Sequence, residues 1–141
     1  NALPQTAEAT INCRIIPGVE PSAVKAQLKK VIANPKIEIT SVWDTIWSSP
    51  SDLSLVMPNV EAVTTSMWPG VIVVPVMSTG GTDGTFLRAE GIPTFGVSGI
   101  FTDVDDNRQH GKDERIGVKQ YFEAQEFMYR LVKKIAGPRL P

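Results

Sequence analysis

The sequence of 141 residues predicts an α/β fold, in which a small α+β part precedes a larger part with a parallel sheet. Three observations predict it. Two segments with alternating apolar residues flank a helical segment between residues 6 and 43. The continuously apolar segment 71–76 and the segment 92–97 enclose a short helical segment, and a long amphipathic segment follows them. Strands and helices that alternate along a chain in this way are typical of α/β proteins.

The small part begins with residues 6–16, in which every second residue is apolar and the residues between them are polar. This period of two predicts a strand with one buried face. Pro21 suits the first turn of a helix, because its missing N–H would have no partner there. The helix is expected to stop at Asn34 and Pro35, and residues 37–41 alternate again. Residues 6–43 are therefore predicted to form a β-α-β unit, which is half of a two-layer α+β sandwich.

The larger part follows a turn-rich stretch at residues 48–52, and a domain boundary is predicted there. A helix is predicted over residues 59–68. The segment 71–76 is continuously apolar and β-branched, which predicts a strand that is buried on both faces, and 92–97 is predicted to be another buried strand. Between them, a short helix is expected to begin near Phe86. This order of elements indicates a parallel α/β arrangement.

The last helix is predicted to begin at Val118 and to end before Gly137 and Pro138. Its predicted apolar face consists of Val118, Tyr121, Phe122, Gln125, Met128, Leu131, Val132 and Ile135. Each part of the chain offers two strands, and a two-stranded sheet is marginally stable by itself. We therefore expect further strands from protein sequence outside these 141 residues.

The composition excludes several classes of protein. A net charge of −1 predicts no binding to nucleic acid or to an anionic membrane surface. The longest apolar run, residues 71–77, is far shorter than the roughly 20 residues that span a bilayer. The single cysteine, Cys13, excludes a disulfide within these residues. The compartment, cytoplasmic or exported, is left open.

The most polar segment, residues 104–115, follows a predicted buried strand and contains His110, the only histidine. Sites in α/β proteins are built from the loops at the carboxyl ends of such strands. A neutral imidazole is a common zinc ligand, so His110 is a candidate metal ligand. A catalytic zinc needs three protein ligands, however, and Asp105 and Asp106 match no metal-binding spacing. The alternative interpretation is a solvated surface loop with an incidental histidine.

Residues 80–84, with the sequence GGTDG, lie between a predicted strand and a predicted helix. Glycines at such a place let backbone N–H groups approach an anion, and Thr82 or Asp83 can cap the helix. The alternative is a tight turn with a capped helix, and the absence of a following lysine disfavours a nucleotide-binding P-loop. Arg14 lies on the polar face of the first predicted strand, where a solvated sheet face is the alternative to a binding role.

Three stretches of the sequence, in this order, resemble one family of proteins. They are residues 1–4 and 7–18, residues 80–88 with the motif GGTDGTFLR together with 91–93, and residues 110–115 with the motif HGKDER. The sequence is similar to the zinc-dependent peptidases and aminoacylases, which include acetylornithine deacetylase, succinyl-diaminopimelate desuccinylase, glutamate carboxypeptidase and aminoacylase. The resemblance runs along the whole chain and corresponds to the C-terminal part of the family's proteins.

This resemblance implies a fold and a chemistry. Residues 1–48 would be the C-terminal half of a ferredoxin-like lid or dimerisation domain, and residues 49–141 the C-terminal segment of a mixed, largely parallel α/β catalytic domain. The family's site holds two zinc ions, with cobalt and manganese as alternatives, and a bridging water attacks an amide carbonyl. The implied partners are an N-acyl amino acid or peptide substrate and a second copy of the protein, bound through the lid domain.

The resemblance also implies roles for single residues. His110 matches a metal ligand, and Glu114 matches the acidic residue beside that ligand. Residues matching substrate contacts are Asn1, Arg14, Gly81 and Thr82. The family's other metal ligands and its catalytic glutamate have no counterpart in this sequence. We therefore expect a hydrolase that cleaves an amide bond near a free carboxylate, with no catalytic residue in this chain and no activity of the chain alone. The alternative is a non-catalytic dimerisation or binding module.

Overall fold

A computed structural model describes residues 2–43, 46–106 and 108–137. Within these residues the helices are α1 Pro21–Ile32, α2 Met57–Met67, α3 Gly84–Ala89 and α4 Val118–Ala136, and a short 3₁₀ turn, Leu53–Leu55, precedes α2. The chain forms two compact units. Unit 1 consists of Asn1–Pro50 and Val76–Ile92, and unit 2 consists of Ser51–Pro75 and Pro93–Pro141. The proposed domains 1–48 and 49–141 remain a prediction.

Helix α1 begins and ends where the sequence predicts. Pro21 occupies the first turn, and Ala33 ends the helix in the left-handed region, with φ 48°. The Ala33 N–H donates to the carbonyl oxygen of Lys29 at 3.1 Å, which satisfies one of the carbonyl groups left open at a helix end. Lys29 and Lys30 in the last turn also interact favourably with the negative end of the helix dipole.

The hydrophobic core of unit 2 lies between α2 and α4. Its buried members are Val56, Val60, Val63, Phe127 and Leu131, and partly buried residues pack around them, including Trp68, Val73, Phe95 and Val97. Trp68 meets the ring of Phe101 edge to face, with 4.8 Å between the ring centroids. Such aromatic pairs add stability beyond the area that they bury. This core supports the segment from Phe101 to α4, which carries His110.

Helix α4 was predicted correctly in its extent but only partly in its buried face. The buried residues are Ala124, Phe127 and Leu131, of which only Leu131 belongs to the predicted face. Val118 and Phe122 are 75% and 61% exposed. The reason is that the apolar arc of α4 is wider than the surface of α2 that covers it, so part of the arc stays uncovered within the described structure.

No strand is present among the described residues, so the strand half of the α/β prediction is not confirmed. Residues 6–16, 37–41, 71–76 and 92–97 have no regular secondary structure there. The expected burial of 71–76 is also wrong, since Val74 is 65% exposed. A strand forms only when a neighbour pairs with its backbone N–H and C=O groups, and burial on both faces also needs covering helices. Among the described residues no backbone ladder forms with these segments, and they contribute Val73, Phe95 and Val97 as only partly buried neighbours of the core.

Unit 1 has a sparser interior than unit 2. Helix α1 has no buried residue, and single hydrogen bonds join distant parts of the unit. The indole N–H of Trp47 donates to the carbonyl oxygen of Val19 at 3.0 Å, and a guanidinium N–H of Arg14 donates to the carbonyl oxygen of Thr79. Among the helices of the described residues, none has the length and apolar character needed to cross a lipid bilayer.

Candidate functional site

His110 lies in unit 2 at the tip of an exposed loop between the core and α4. Its backbone is in the left-handed region, with φ 63°. Residues other than glycine adopt this region rarely, although histidine does so more often than most. The turn around it is closed by a hydrogen bond from the Gly111 N–H to the Arg108 carbonyl oxygen at 3.0 Å, and the Glu114 N–H donates to the Gly111 carbonyl oxygen at 3.3 Å. The imidazole is therefore presented to solvent on a defined turn.

Ion pairs connect the residues that precede His110 with those that follow it. Asp106 pairs with Arg115, Arg108 pairs with Asp113, and Arg108 also pairs with Asp106 at 2.5 Å between Nε and Oδ1. We call residues 106 and 108–115 the His110 loop. Hydrogen bonds from Arg108 and then from Arg115 lower the pKa of Asp106 below its ordinary value. This carboxylate therefore stays ionised in its place between two guanidinium groups.

A cavity of about 200 Å³ lies beside the His110 loop. It is lined by both polar and apolar groups, among them Phe101, Thr102, Asp103, Asp106, Arg115 and Ile116. The cavity is open to solvent. Of its charged lining residues, Asp106, Arg108 and Arg115 belong to one ion-pair network, and Asp103 accepts a hydrogen bond from the Asp105 N–H at 3.0 Å.

The described residues do not by themselves fit a catalytic metal centre. No group of three or more His, Cys, Asp and Glu side chains is close enough there to hold a metal ion. A catalytic zinc takes three protein ligands, and His110 supplies one nitrogen donor. Asp106, whose position in the sequence matches no metal-binding spacing, is held by two arginines. Glu114 is exposed, beyond the turn that carries His110.

The residues that the resemblance assigns to substrate contact belong to unit 1. Arg14 is exposed, and its hydrogen bond to Thr79 brings it beside the glycine-rich loop 80–84. Gly81 and Thr82 are exposed in that loop, and the Thr82 carbonyl oxygen accepts from the Thr85 N–H at 3.1 Å as the chain turns into α3. Asn1 lies outside the described residues. The structure thus places Arg14 next to the loop that contains Gly81 and Thr82.

The helix cap predicted in this loop is only partly present. Asp83 occupies the position before α3, but its carboxylate caps no N–H of that helix in the structure described. Helix α3 has only six residues. The interpretation as a tight turn is therefore sufficient for this loop, and anion binding there remains a prediction.

The sequence missed the ion pairs of the His110 loop. Their signal was present, since acidic and basic residues alternate on both sides of the only histidine: Asp106, Arg108, Asp113 and Arg115. Opposite charges in a polar loop are common, however, and their spacing alone does not indicate which ones meet.

Comparisons with known proteins were made for the whole chain. A family model described as a peptidase dimerisation domain, M20_dimer, matches residues 1–40. "Probable carboxypeptidase S-like 2" of Dictyostelium discoideum is 28% identical over 137 residues, which are 94% of this chain and 26% of that protein. "N-fatty-acyl-amino acid synthase/hydrolase PM20D1" of Homo sapiens is 30% identical over 138 residues, 94% of this chain and 28% of that protein. No solved structure matches at a comparable level of significance.

The chain thus spans about a quarter of the length of these curated relatives. The matching dimerisation domain supports an α/β class for residues 1–40. The resemblance seen in the sequence is confirmed: residues 1–40 match the peptidase dimerisation domain, and the chain is similar to part of the length of a carboxypeptidase S-like protein and of an N-fatty-acyl-amino acid synthase/hydrolase.

Proposed function

We propose that this chain takes part in a metal-dependent hydrolase that cleaves an amide bond of N-acyl amino acids or peptides beside a free carboxylate. The observation that carries the proposal is the exposed His110 on a defined turn, and the resemblance of the sequence matches this residue to a metal ligand. One relative is named a probable carboxypeptidase S-like protein and the other an N-fatty-acyl-amino acid synthase/hydrolase, and these names support the proposal.

His110 would supply one nitrogen ligand to zinc, with cobalt or manganese as alternatives, and Glu114 would lie beside it. The metal would polarise the amide carbonyl and activate a water molecule. The remaining ligands and the general base would come from protein sequence other than these 141 residues, because the described residues contain no group of three donors. The chain alone is therefore expected to be inactive.

Arg14 is the proposed anchor for the substrate's carboxylate. A guanidinium group has five N–H donors, and the hydrogen bond to Thr79 uses one of them, so a carboxylate can bind through others. The neighbouring residues Gly81 and Thr82 would line the same side of the substrate, and Asn1 would add a further contact. All of these belong to unit 1.

A zinc titration followed by NMR tests the role of His110. Because the chain has a single histidine, the ring signals of His110 are assigned without ambiguity. Zinc at millimolar concentration should shift these signals, and His110→Ala should abolish the bound zinc while leaving the helical circular dichroism unchanged. Ring signals that stay unmoved by zinc would remove His110 from the metal centre. Turnover of N-acetyl amino acids by the 141-residue chain with zinc would refute its expected inactivity.

A dimerisation module is the second candidate function, and the family model over residues 1–40 favours it. In this case the chain forms a homodimer through its first part. Sedimentation at increasing concentration should reveal a monomer–dimer equilibrium that His110→Ala does not change. A chain that stays monomeric at every concentration would contradict the dimerisation function.

A further inference from the structure

The His110 loop is closed by two nested ion pairs. Asp106 and Arg115 form the outer pair, and Arg108 and Asp113 form the inner pair, with His110 inside both. The carboxylate of Asp106 also accepts from Arg108, so it links the two pairs into one network. A network of this kind holds together the two arms of the loop, which are the residues before and after His110. A single exposed ion pair, by contrast, contributes little to stability.

The backbone of His110 needs such a support. Its φ of 63° is unfavourable for a residue with a side chain, and such a conformation persists when its surroundings enforce it. The hydrogen bond from the Gly111 N–H to the Arg108 carbonyl oxygen closes the turn on the same residue whose guanidinium joins both ion pairs. Arg108 thus couples the backbone turn to the side-chain network.

We propose that Asp106, together with Arg108 and Arg115, positions the imidazole of His110 by holding the two arms of its loop in one arrangement. This inference rests on the proposed role of His110 as a metal ligand. A ligand side chain has to be held close to its productive geometry before the metal binds, and groups that do not touch the metal usually provide this support. Asp106, Arg108 and Arg115 are therefore positioning residues, which act through His110.

The test compares Asp106→Asn with the unchanged 141-residue chain, in the absence of metal. Asparagine keeps the size of the side chain but removes the charge that both arginines need. Two readouts report on the loop: the hydrogen exchange of the Gly111 amide and the ring signals of His110. Exchange of Gly111 should become roughly two- to fivefold faster, the change expected when exposed ion pairs are lost, and the ring signals should move or broaden.

Matched variants separate positioning from a general effect of charge or of fold. Asp105→Asn removes the same charge at the neighbouring position and should change neither readout. Asp106→Glu keeps the carboxylate and should restore most of the Gly111 protection. Arg115→Gln removes only the outer ion pair, and the side chain that it replaces is 62% exposed. If Asp106→Asn alters the circular dichroism of the helices, Arg115→Gln provides the same test.

Unchanged Gly111 exchange and ring signals in both Asp106→Asn and Arg115→Gln would overturn the proposal, and so would an equal change in Asp105→Asn. A zinc titration of the unchanged chain is run beside these measurements. If zinc leaves the ring signals of His110 unmoved, the proposed metal role fails, whereas the metal-free comparison still decides whether Asp106 holds the loop.

Discussion

Asp106 and Arg115 lie nine residues apart in the sequence, and their side chains form an ion pair that closes the loop around His110. The pair joins the segment that follows the core of unit 2 to the segment that precedes α4. An exposed histidine in a polar loop would otherwise sample many conformations. The relationship between these two residues therefore turns a surface loop into a candidate support for a ligand.

The acid dependence of the His110 loop follows from Asp106. Hydrogen bonds from Arg108, and then from Arg115, hold the pKa of Asp106 below its ordinary value of 3.8. A carboxylate whose pKa is lower in the folded state contributes stability above its unfolded-state pKa and loses it as the pH falls through the folded-state pKa. The NMR chemical shift of the Gly111 amide should therefore be constant at pH values above 3.8 and should change as the pH falls below 3.8.

The control for this acid dependence is Asp106→Asn, which should lack the step in the acid range when the Gly111 signal is followed by NMR from neutral to strongly acidic pH. Asp105→Asn should keep the step. An identical acid step in Asp106→Asn would show that another carboxyl group controls the loop.

The backbone conformation of His110 makes a prediction about its replacements. Asparagine tolerates the left-handed region, whereas a β-branched side chain is strongly disfavoured there. His110→Asn should therefore keep the Gly111 hydrogen bond, and His110→Val should weaken it by about 1 kcal/mol or more. Amide hydrogen exchange of Gly111 measures both. Equal protection in the two variants would mean that φ at this position differs from 63°.

The core of unit 2 depends on Phe127, which is 2% exposed between α2 and α4. Phe127→Ala should lower the free energy of unfolding by about 3–5 kcal/mol, because it removes a buried ring and leaves a cavity. Phe122→Ala is the matched control on the same helix, since Phe122 is 61% exposed and should lose less than about 1 kcal/mol. Urea denaturation followed by circular dichroism measures the difference, and similar losses in both variants would contradict the observed buried face of α4.

Ser51 links two separate stretches of unit 2. Its hydroxyl accepts a hydrogen bond from the Thr94 N–H at 2.9 Å and donates one to the Thr94 carbonyl oxygen at 3.3 Å. Ser51→Ala should lower the free energy of unfolding by about 1–3 kcal/mol, since it removes both hydrogen bonds between the hydroxyl and the Thr94 backbone. Ser51→Thr keeps the hydroxyl and should lose less. A loss of the same size in both variants, measured in urea, would argue that the hydroxyl is not the stabilising group.

The helices could be predicted because their signals are local. Pro21 at the start of α1, Asn34 and Pro35 after it, and Gly137 after α4 all act on the backbone within a turn or two. The strands could not be confirmed in the same way. A strand depends on backbone partners from distant sequence, and among the described residues the segments 71–76 and 92–97 have none that form a ladder.

For the candidate site, the sequence alone determined the position of His110 and its resemblance to a metal ligand, since a motif is a property of neighbouring residues. Only the tertiary structure decided which carboxylates meet which guanidinium groups, that Arg14 lies beside the glycine-rich loop, and that Phe127 rather than Phe122 faces the core. The physical reason is that charge pairing and burial depend on distances between residues far apart in the sequence, and the chain's local pattern does not set those distances.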